Sequence, residues 1–273
     1  MEQDEALSKI VVKKLKKVYV ERRTKKRFLS QCESQEDCKV LDGLSFSIPP
    51  GAFACFIGPS GCGKSTMFRI ISGFERPSSG IVLIDGVPVT GPSNRHVCVF
   101  QEDGLFPWFT ARQNIAIGLH NRAAGRKMEQ ENIEQEVEEY LELVGLSGFG
   151  DHYPHELSGG MRRRAEVARA LITNPDILFM DEPFGALDFV TRLQMREEMV
   201  NVHQMFDMTI LFITHDIDEA LQLGDRIIML SDRPAKVAWD LELDFPHPRD
   251  LSTGPLRDLR RQIYYKMGLH LAL

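Results

Sequence analysis

The sequence has no run approaching the ~18 consecutive apolar residues of a membrane-spanning helix, so nothing in it is expected to cross a bilayer. No secretory leader is expected, because the opening MEQDEALSK is charged and lacks an apolar centre. Cysteine is sparse and poorly spaced for bridging. The five lie at positions 32, 38, 55, 62 and 98, an odd count without a C-x-x-C pair. That pattern argues against a disulfide framework and for a reducing compartment. Positive charge is not in excess either: 33 Lys and Arg stand against 39 Asp and Glu, a net charge of −6. The chain as a whole is therefore not expected to bind nucleic acid. Internal repeats and low-complexity tracts are also missing.

What remains is an ordinary globular composition, 43% apolar and 26% charged over 273 residues. This is enough for one large domain or two small ones. Charge is unevenly spread. Lys13 to Arg27 holds nine Lys or Arg against Glu21 alone, read either as a solvated hairpin rim or as a contact for phospholipid headgroups or an acidic partner loop. Cys32 and Cys38 read as free loop thiols, with metal binding or pairing as the alternative.

Residues 7–20 alternate apolar and polar and predict an edge strand or hairpin. Residues 21–38 are polar and predict a loop insertion. A strand through Val40–Ile48, a turn at Pro49-Pro50-Gly51 and a buried strand Phe53–Ile57 come next, then a helix over Met67–Gly73. A strand pair is expected at Ile81–Ile84 and Val97–Phe100. Between 110 and 147, Ile133, Val137, Tyr140, Leu141 and Val144 fall at helical spacing opposite Glu, predicting an α-helical insert. Helix Gly160–Thr173, strand Ile177–Met180, helix Val190–Phe206, strand Thr209–Thr214, a helix from Asp216 and strand Ile227–Leu230 follow. The alternation predicts an α/β fold with a mostly parallel sheet covered on both faces. Residues 236–273 read as a short strand, a Pro-rich turn and a terminal helix.

Gly58-Pro59-Ser60-Gly61-Cys62-Gly63-Lys64-Ser65-Thr66 fits G-x-x-x-x-G-K-[ST] between a predicted strand and a predicted helix. In such a loop backbone N–H groups wrap phosphates, Lys64 neutralises their charge and the Ser65 hydroxyl reaches Mg²⁺. Modification of Cys62, inside the loop, is expected to block nucleotide binding. Asp181 ends the buried run Ile177–Met180, where ligands bind in open α/β sheets, and suits Mg²⁺ held through water. Glu182 beside it can polarise a water against a γ-phosphate. Gln101 and His215 end two further strands, placing Gln101 near metal and water and His215 near the γ-phosphate. A second anion-type site opens the next helix: Leu157-Ser158-Gly159-Gly160-Met161, followed by Arg162, Arg163 and Arg164.

The phosphate loop, Gln101, LSGGM, ILFMDEP, GALD (185–188) and His215, in that order, resemble an ATP-binding-cassette (ABC) ATPase over roughly residues 10–235. The resemblance implies a phosphate-loop NTPase core with a mostly parallel sheet, an antiparallel β subdomain and an α-helical insert. It divides the chain into a nucleotide-binding core with the β subdomain (1–101 plus 161–235), a helical subdomain (102–160) and a tail (236–273). It also explains the two phosphate sites. Two cassettes pack head to tail as a homodimer, and the phosphate loop of one and Ser158, Gly159 and Gly160 of the other sandwich one ATP. By motif, Glu182 is the catalytic base and Lys64, Ser65, Asp181 and Gln101 form the phosphate and metal set. His215 senses the γ-phosphate, Asp188 signals across the interface, and ATP and Mg²⁺ are the cofactors. Tyr19 holds the position that stacks on adenine; the 21–38 stretch lengthens the spacing to Gly58, leaving Phe28 as a substitute.

EDGLFPWFTARQNIAIGL after Gln101, LSGGM followed by Arg, and HDIDEALQLGDRIIMLSDRPAKV look like the importers for nitrate, aliphatic sulfonates and taurine. This branch implies membrane permease subunits as partners, a solute-binding protein acting indirectly, and a peripheral place on the cytoplasmic face of the inner membrane. Leu105, Phe106, Pro107, Trp108 and Phe109 line the permease groove on this view, or else pack the helical insert. A soluble non-transport ABC-type ATPase is the alternative function, and would favour fused cassettes, coiled coils or metal hooks. A phosphate-loop kinase would need neither LSGG nor a γ-phosphate His, and intact Asp181, Glu182 and His215 argue against an inert module.

Overall fold

The computed structural model describes residues 8–20, 37–102, 104–122, 130–185, 187–252 and 254–268. Phe28, Cys32 and most of the polar 21–38 stretch lie outside them. Among the described residues no helix is long and apolar enough to cross a membrane.

The centre is a set of parallel strands: β3 (Phe53–Ile57), β6 (His96–Val99), β7 (Ile177–Asp181), β8 (Thr209–Ile213) and β9 (Arg226–Leu230). Every residue of β3 and β8 is buried. A strand covered on both faces needs apolar side chains at every position, which is why these segments read as unbroken hydrophobic runs. With β10 (Val237–Glu242) they form a six-stranded sheet ordered β10-β9-β3-β8-β7-β6, in which only β10 runs antiparallel. The tail thus supplies an edge strand of the central sheet, alternating half-buried and exposed residues as such a strand does.

A second, antiparallel sheet holds β1 (Ile10–Val20), β2 (Asp37–Ile48), β4 (Ser79–Ile84) and β5 (Val87–Pro88), ordered β2-β1-β4-β5. Two expectations change here. β1 is an inner strand, not an edge: Ile10 lies opposite both Ile48 and Ile84. The Ile81–Ile84 and Val97–Phe100 segments do not pair, because β4 joins the antiparallel sheet and β6 the parallel one. Apolar runs of this length mark burial without naming the partner strand.

Alternate residues of the parallel strands feed two cores. Ala54 and Phe56 face the antiparallel sheet and α1 (Lys64–Ile71), where Ile10, Leu44, Met67 and Phe68 meet them. Phe53, Cys55 and Ile57 face the opposite side, under α4 (Gly159–Leu171), α5 (Phe189–Met205), α6 (Ile217–Leu223) and α7 (Gly254–Lys266). A third cluster joins α2 (Ala111–Arg122) and α3 (Gln130–Leu143) to α4, through Ile115, Leu119, Val137, Leu141, Ala165, Ala168 and Ile172. Helix α4 serves two cores at once, with Val167, Ala170 and Leu171 on the sheet side and Ala165 and Ala168 on the helical side.

Gly118 makes the α2–α4 contact possible. A Cβ there would lie 2.5 Å from Ile172 Cγ2 and 2.7 Å from the Arg169 carbonyl oxygen. Gly118→Ala is expected to destabilise the fold by about 1–3 kcal/mol, the usual cost of overpacking. Thermal unfolding checks this, and an unchanged Tm would mean that α2 can retreat freely.

Candidate functional site

The phosphate loop runs from the end of β3 to the start of α1. Gly58 (φ 154°) leaves no room for a side chain, since a Cβ would sit 2.8 Å from the Leu230 carbonyl oxygen of β9. Gly63 (φ 121°) is closed in on the other side by Val40 and Leu41 of β2, at 2.8 and 2.9 Å from the same hypothetical atom. The loop is therefore gripped between the two sheets, while Ser60, Gly61 and Ser65 face solvent and Pro59 and Thr66 are half-buried. Lys64 is 5% exposed. Its Nζ donates to the Gly58 and Pro59 carbonyls at 2.8 and 3.0 Å, which holds the ammonium across the loop. Cys62 is buried and its thiol pKa is pushed up by that burial. A buried neutral thiol reacts slowly, so the expected sensitivity of the loop to thiol reagents requires opening of the loop first.

The carboxylates stand at the end of β7, one strand from β8 and two from β3. Asp181 shares a hydrogen bond with the Ser65 side chain. Its Oδ1 is buried and has no hydrogen-bond partner among the described residues. Burial raises the Asp181 pKa, as does the nearby Glu182, while Ser65 and Lys64 pull it down. Glu182 has φ 46°, in the left-handed region, which costs a non-glycine residue about 1–2 kcal/mol. The bond from its N–H to the Ile213 carbonyl of β8, at 3.0 Å, holds this turn. The kink brings Glu182 Oε2 to 3.5 Å from Nδ1 of His215, at the end of β8. Gln101 lies exposed two residues beyond β6.

A carboxylate with one buried, unpartnered oxygen, hydrogen-bonded to the Ser65 side chain, makes with that hydroxyl a hard oxygen donor set, and it fits Mg²⁺. Among the described residues no three His, Cys, Asp or Glu side chains cluster tightly enough to hold an ion alone. That also fits an ion taking its other ligands from phosphate and water.

Tyr19, 40% exposed, donates its hydroxyl to Glu75 Oε1 at 2.6 Å and also contacts the Thr66 side chain at the loop's end. Lys17 Nζ lies 4.9 Å over its ring. Burial and Glu75 raise the phenol pKa, so the ring stays neutral beside the loop.

Ser158 caps α4, accepting the Met161 N–H at 3.2 Å, and both it and Gly159 are exposed. Gly160 is tight, because a Cβ would lie 2.5 Å from Thr191 Cγ2. Thr191 in turn sits in the first turn of α5, whose cap is the exposed Asp188, accepting from Val190 and Thr191 N–H at 3.1 Å. The LSGG turn and Asp188 thus share one surface. The three arginines after it do not form an anion site, which corrects that part of the sequence reading. Arg162 donates to the Leu157 carbonyl at 2.7 Å, Arg163 is buried against Glu166, and Arg164 donates to Val144 and Gly145 carbonyls.

The aromatic segment divides. Leu105 is buried in the helical cluster, while Phe106 and Trp108 are 37% and 65% exposed. Asn114, fully buried, accepts the Phe106 N–H at 2.8 Å and donates to the carbonyls of Phe106, Phe109 and Thr110. It ties the segment into a rigid turn with the Phe106 and Trp108 rings outward.

Sequence reasoning missed the groups that hold the residues on either side of His215. Thr214 donates to Glu219, and Arg196 of α5 donates to Asp216 and Glu219 at 2.7 and 3.3 Å. Arg196 and Glu219 are buried. The D-x-x-E spacing from Asp216 to Glu219 is a helix-start signal that could have flagged the pair, but nothing local announces Arg196.

The profile of the ABC transporter family matches residues 41–185. The aliphatic sulfonates import ATP-binding protein SsuB of Bacillus cereus is 40% identical over 225 residues, covering 82% of this chain and 87% of SsuB. The nitrate import ATP-binding protein NrtD of Synechococcus elongatus is 44% identical over 211 residues, 77% of this chain and 76% of NrtD. Among solved structures, the dimeric bacterial ABC transporter cassette MJ0796 superposes with a TM-score of 0.71 at 30% identity, covering 87% of this chain and all of MJ0796. Its post-hydrolysis form with ADP and Pi matches equally, at 28% identity. With the phosphate loop gripped between two sheets and Asp181, Glu182 and His215 at neighbouring strand ends, the chain belongs to the ABC transporter family, as an ATPase subunit of the nitrate and sulfonate importer branch.

Proposed function

We propose that two copies of this chain form a cassette dimer that hydrolyses ATP beneath a separate membrane permease, peripheral on the cytoplasmic face of the inner membrane. The observation that carries this reading is the convergence of Lys64, Ser65, Asp181, Glu182 and His215 at the same ends of three adjacent parallel strands. Loop N–H groups from Gly58 to Thr66 bind the phosphates, and Lys64 neutralises their charge. Ser65, Asp181 and Gln101 would hold Mg²⁺, which when bound would offset charge on the phosphate oxygens. Glu182 takes the proton of the water whose oxygen bonds to the γ-phosphorus as the bond to the β-phosphate oxygen breaks. His215 donates to a γ-phosphate oxygen. Adenine stacks on the face of Tyr19 away from Lys17. Ser158, Gly159 and Gly160 of the second copy close over the γ-phosphate, with Asp188 beside them at the interface.

The exposed rings of Phe106 and Trp108, with the half-buried Phe109 beside them, receive the permease. Exposed aromatics on a rigid turn suit such a contact better than packing within the insert. The relatives' names support a small oxyanion or organosulfur solute; on this reading a solute-binding protein delivers it, and the cassette itself does not touch the cargo.

Two outcomes test the site. Glu182→Gln is expected to slow phosphate release by about 10²–10⁴-fold, the range for losing a general base. It should also trap an ATP-bound dimer on size-exclusion chromatography; turnover at the parent rate would remove Glu182 from this role. Asp181 gives a second test through its raised pKa. The folded chain holds this proton more tightly than the unfolded chain, so stability is lost as pH rises from the ordinary Asp value through the raised one. Asp181→Asn should therefore raise the Tm of the ligand-free protein at pH 7 and abolish the further stabilisation by Mg²⁺ with ATP. A lower Tm, or retained Mg²⁺ dependence, would contradict the assignment.

A further inference from the structure

Among the buried charges that the nucleotide chemistry does not use are two on α4. Arg163 and Glu166 face each other one turn apart on α4, 4% and 3% exposed. Glu166 Oε2 accepts from Arg163 NH1, and Glu166 Oε1 accepts the backbone N–H of Gly104. Arg163 Nε donates to the Pro183 carbonyl at 2.6 Å. Gly104 opens the aromatic segment Leu105–Phe109, and Pro183 is the residue after Glu182. Arg169, one turn further along α4, lies with its guanidinium 5.5 Å from the Phe106 ring centre. A cavity of about 390 Å³, lined among others by Phe74, Phe100, Phe106, Glu166 and Arg169, opens on the same face.

A pair present only for stability would need no bonds to two separate loops, since apolar residues of equal volume pack such a site as well or better. This pair instead spends both ends on backbone groups of functional segments. Its hydrogen bonds are charge-assisted and lie out of water, where they are short and directional. Neither backbone group can shift without breaking a bond to a buried ion.

We propose that Arg163 and Glu166 are positioning residues that link the aromatic partner surface at Gly104–Phe109 to the peptide after Glu182. A shift of that surface would then be felt at Glu182, and nucleotide engagement at Glu182 would be felt by Trp108. The inference rests on the reading of Glu182 as the base that engages the γ-phosphate side of the nucleotide.

Trp108 provides the readout. The chain has two tryptophans, so Trp239→Phe leaves Trp108 as the only tryptophan, excited selectively at the red edge of the absorption band. In that full-length background, a non-hydrolysable ATP analogue with Mg²⁺ is added, its binding is measured by calorimetry, and Trp108 emission is followed. The parent is expected to bind and to change emission. Gly104→Pro removes the N–H that Glu166 accepts and leaves the buried pair intact. Arg163→Met with Glu166→Met replaces the pair by side chains of similar length. Both are expected to bind the analogue within about threefold of the parent and to lose about four-fifths or more of the emission change, with Tm preserved by the apolar replacement. Glu166→Gln, which keeps an acceptor for Gly104, should retain most of the response. An undiminished response in Gly104→Pro, or a parent that binds without any response, would overturn the proposal. Failure of the parent to bind the analogue would instead remove the nucleotide-site reading on which it rests.

Discussion

The protein is organised around a backbone that has nowhere else to go. The phosphate loop passes between the Leu230 carbonyl on one side and the Val40 and Leu41 side chains on the other, at positions where only glycine fits. Because those neighbours come from the parallel and the antiparallel sheet respectively, the loop is the seam where the two sheets meet. Its free N–H groups are thereby fixed in place before any phosphate arrives. Preorganised donors bind anionic groups without having to reorient at the moment of binding. The two hydrophobic cores on either side of the central sheet supply the rigidity behind that fit.

Much of the buried charge serves to orient its neighbours. Arg196 and Glu219 hold Asp216 and Thr214, and so the strand end that carries His215. Arg163 and Glu166 hold Pro183 and Gly104. Asp181 is placed differently: among the described residues its Oδ1 has no hydrogen-bond partner, and burial pushes its pKa up. A fold gains nothing from an unpartnered carboxylate oxygen, so here the chain gives up stability for an open acceptor beside the phosphate loop. Glu182, in its left-handed turn, is a second such concession next door.

Helix α4 explains how one chain presents two unlike surfaces. Its first turn exposes Ser158 and Gly159, and Gly160 seats that turn on the Asp188-capped helix. Its middle carries the buried ion pair, and its later turns pack the helical cluster and reach Phe106 through Arg169. Asn114 and Gly118 belong to the same design. One ties the aromatic turn and the other lets α2 approach α4, which gives physical content to the spacing of those residues in the importer-like segment.

The sequence by itself determined what is contiguous. The phosphate loop, the carboxylates after a buried run, the LSGG helix start and the parallel strands are each written in adjacent residues or in a short period. It also carried the order of motifs that identifies the family. The tertiary structure decided what depends on distant partners. β1 proved internal because strands from two other parts of the chain flank it, and Ile81–Ile84 and Val97–Phe100 parted because an apolar run does not name its neighbour. Arg163 looked like part of an anion site beside LSGG. Its real partners include Pro183, 20 positions away, and those of Glu166 include Gly104, 62 positions away. Local pattern reports burial and backbone geometry; only the folded packing assigns a buried charge its partner.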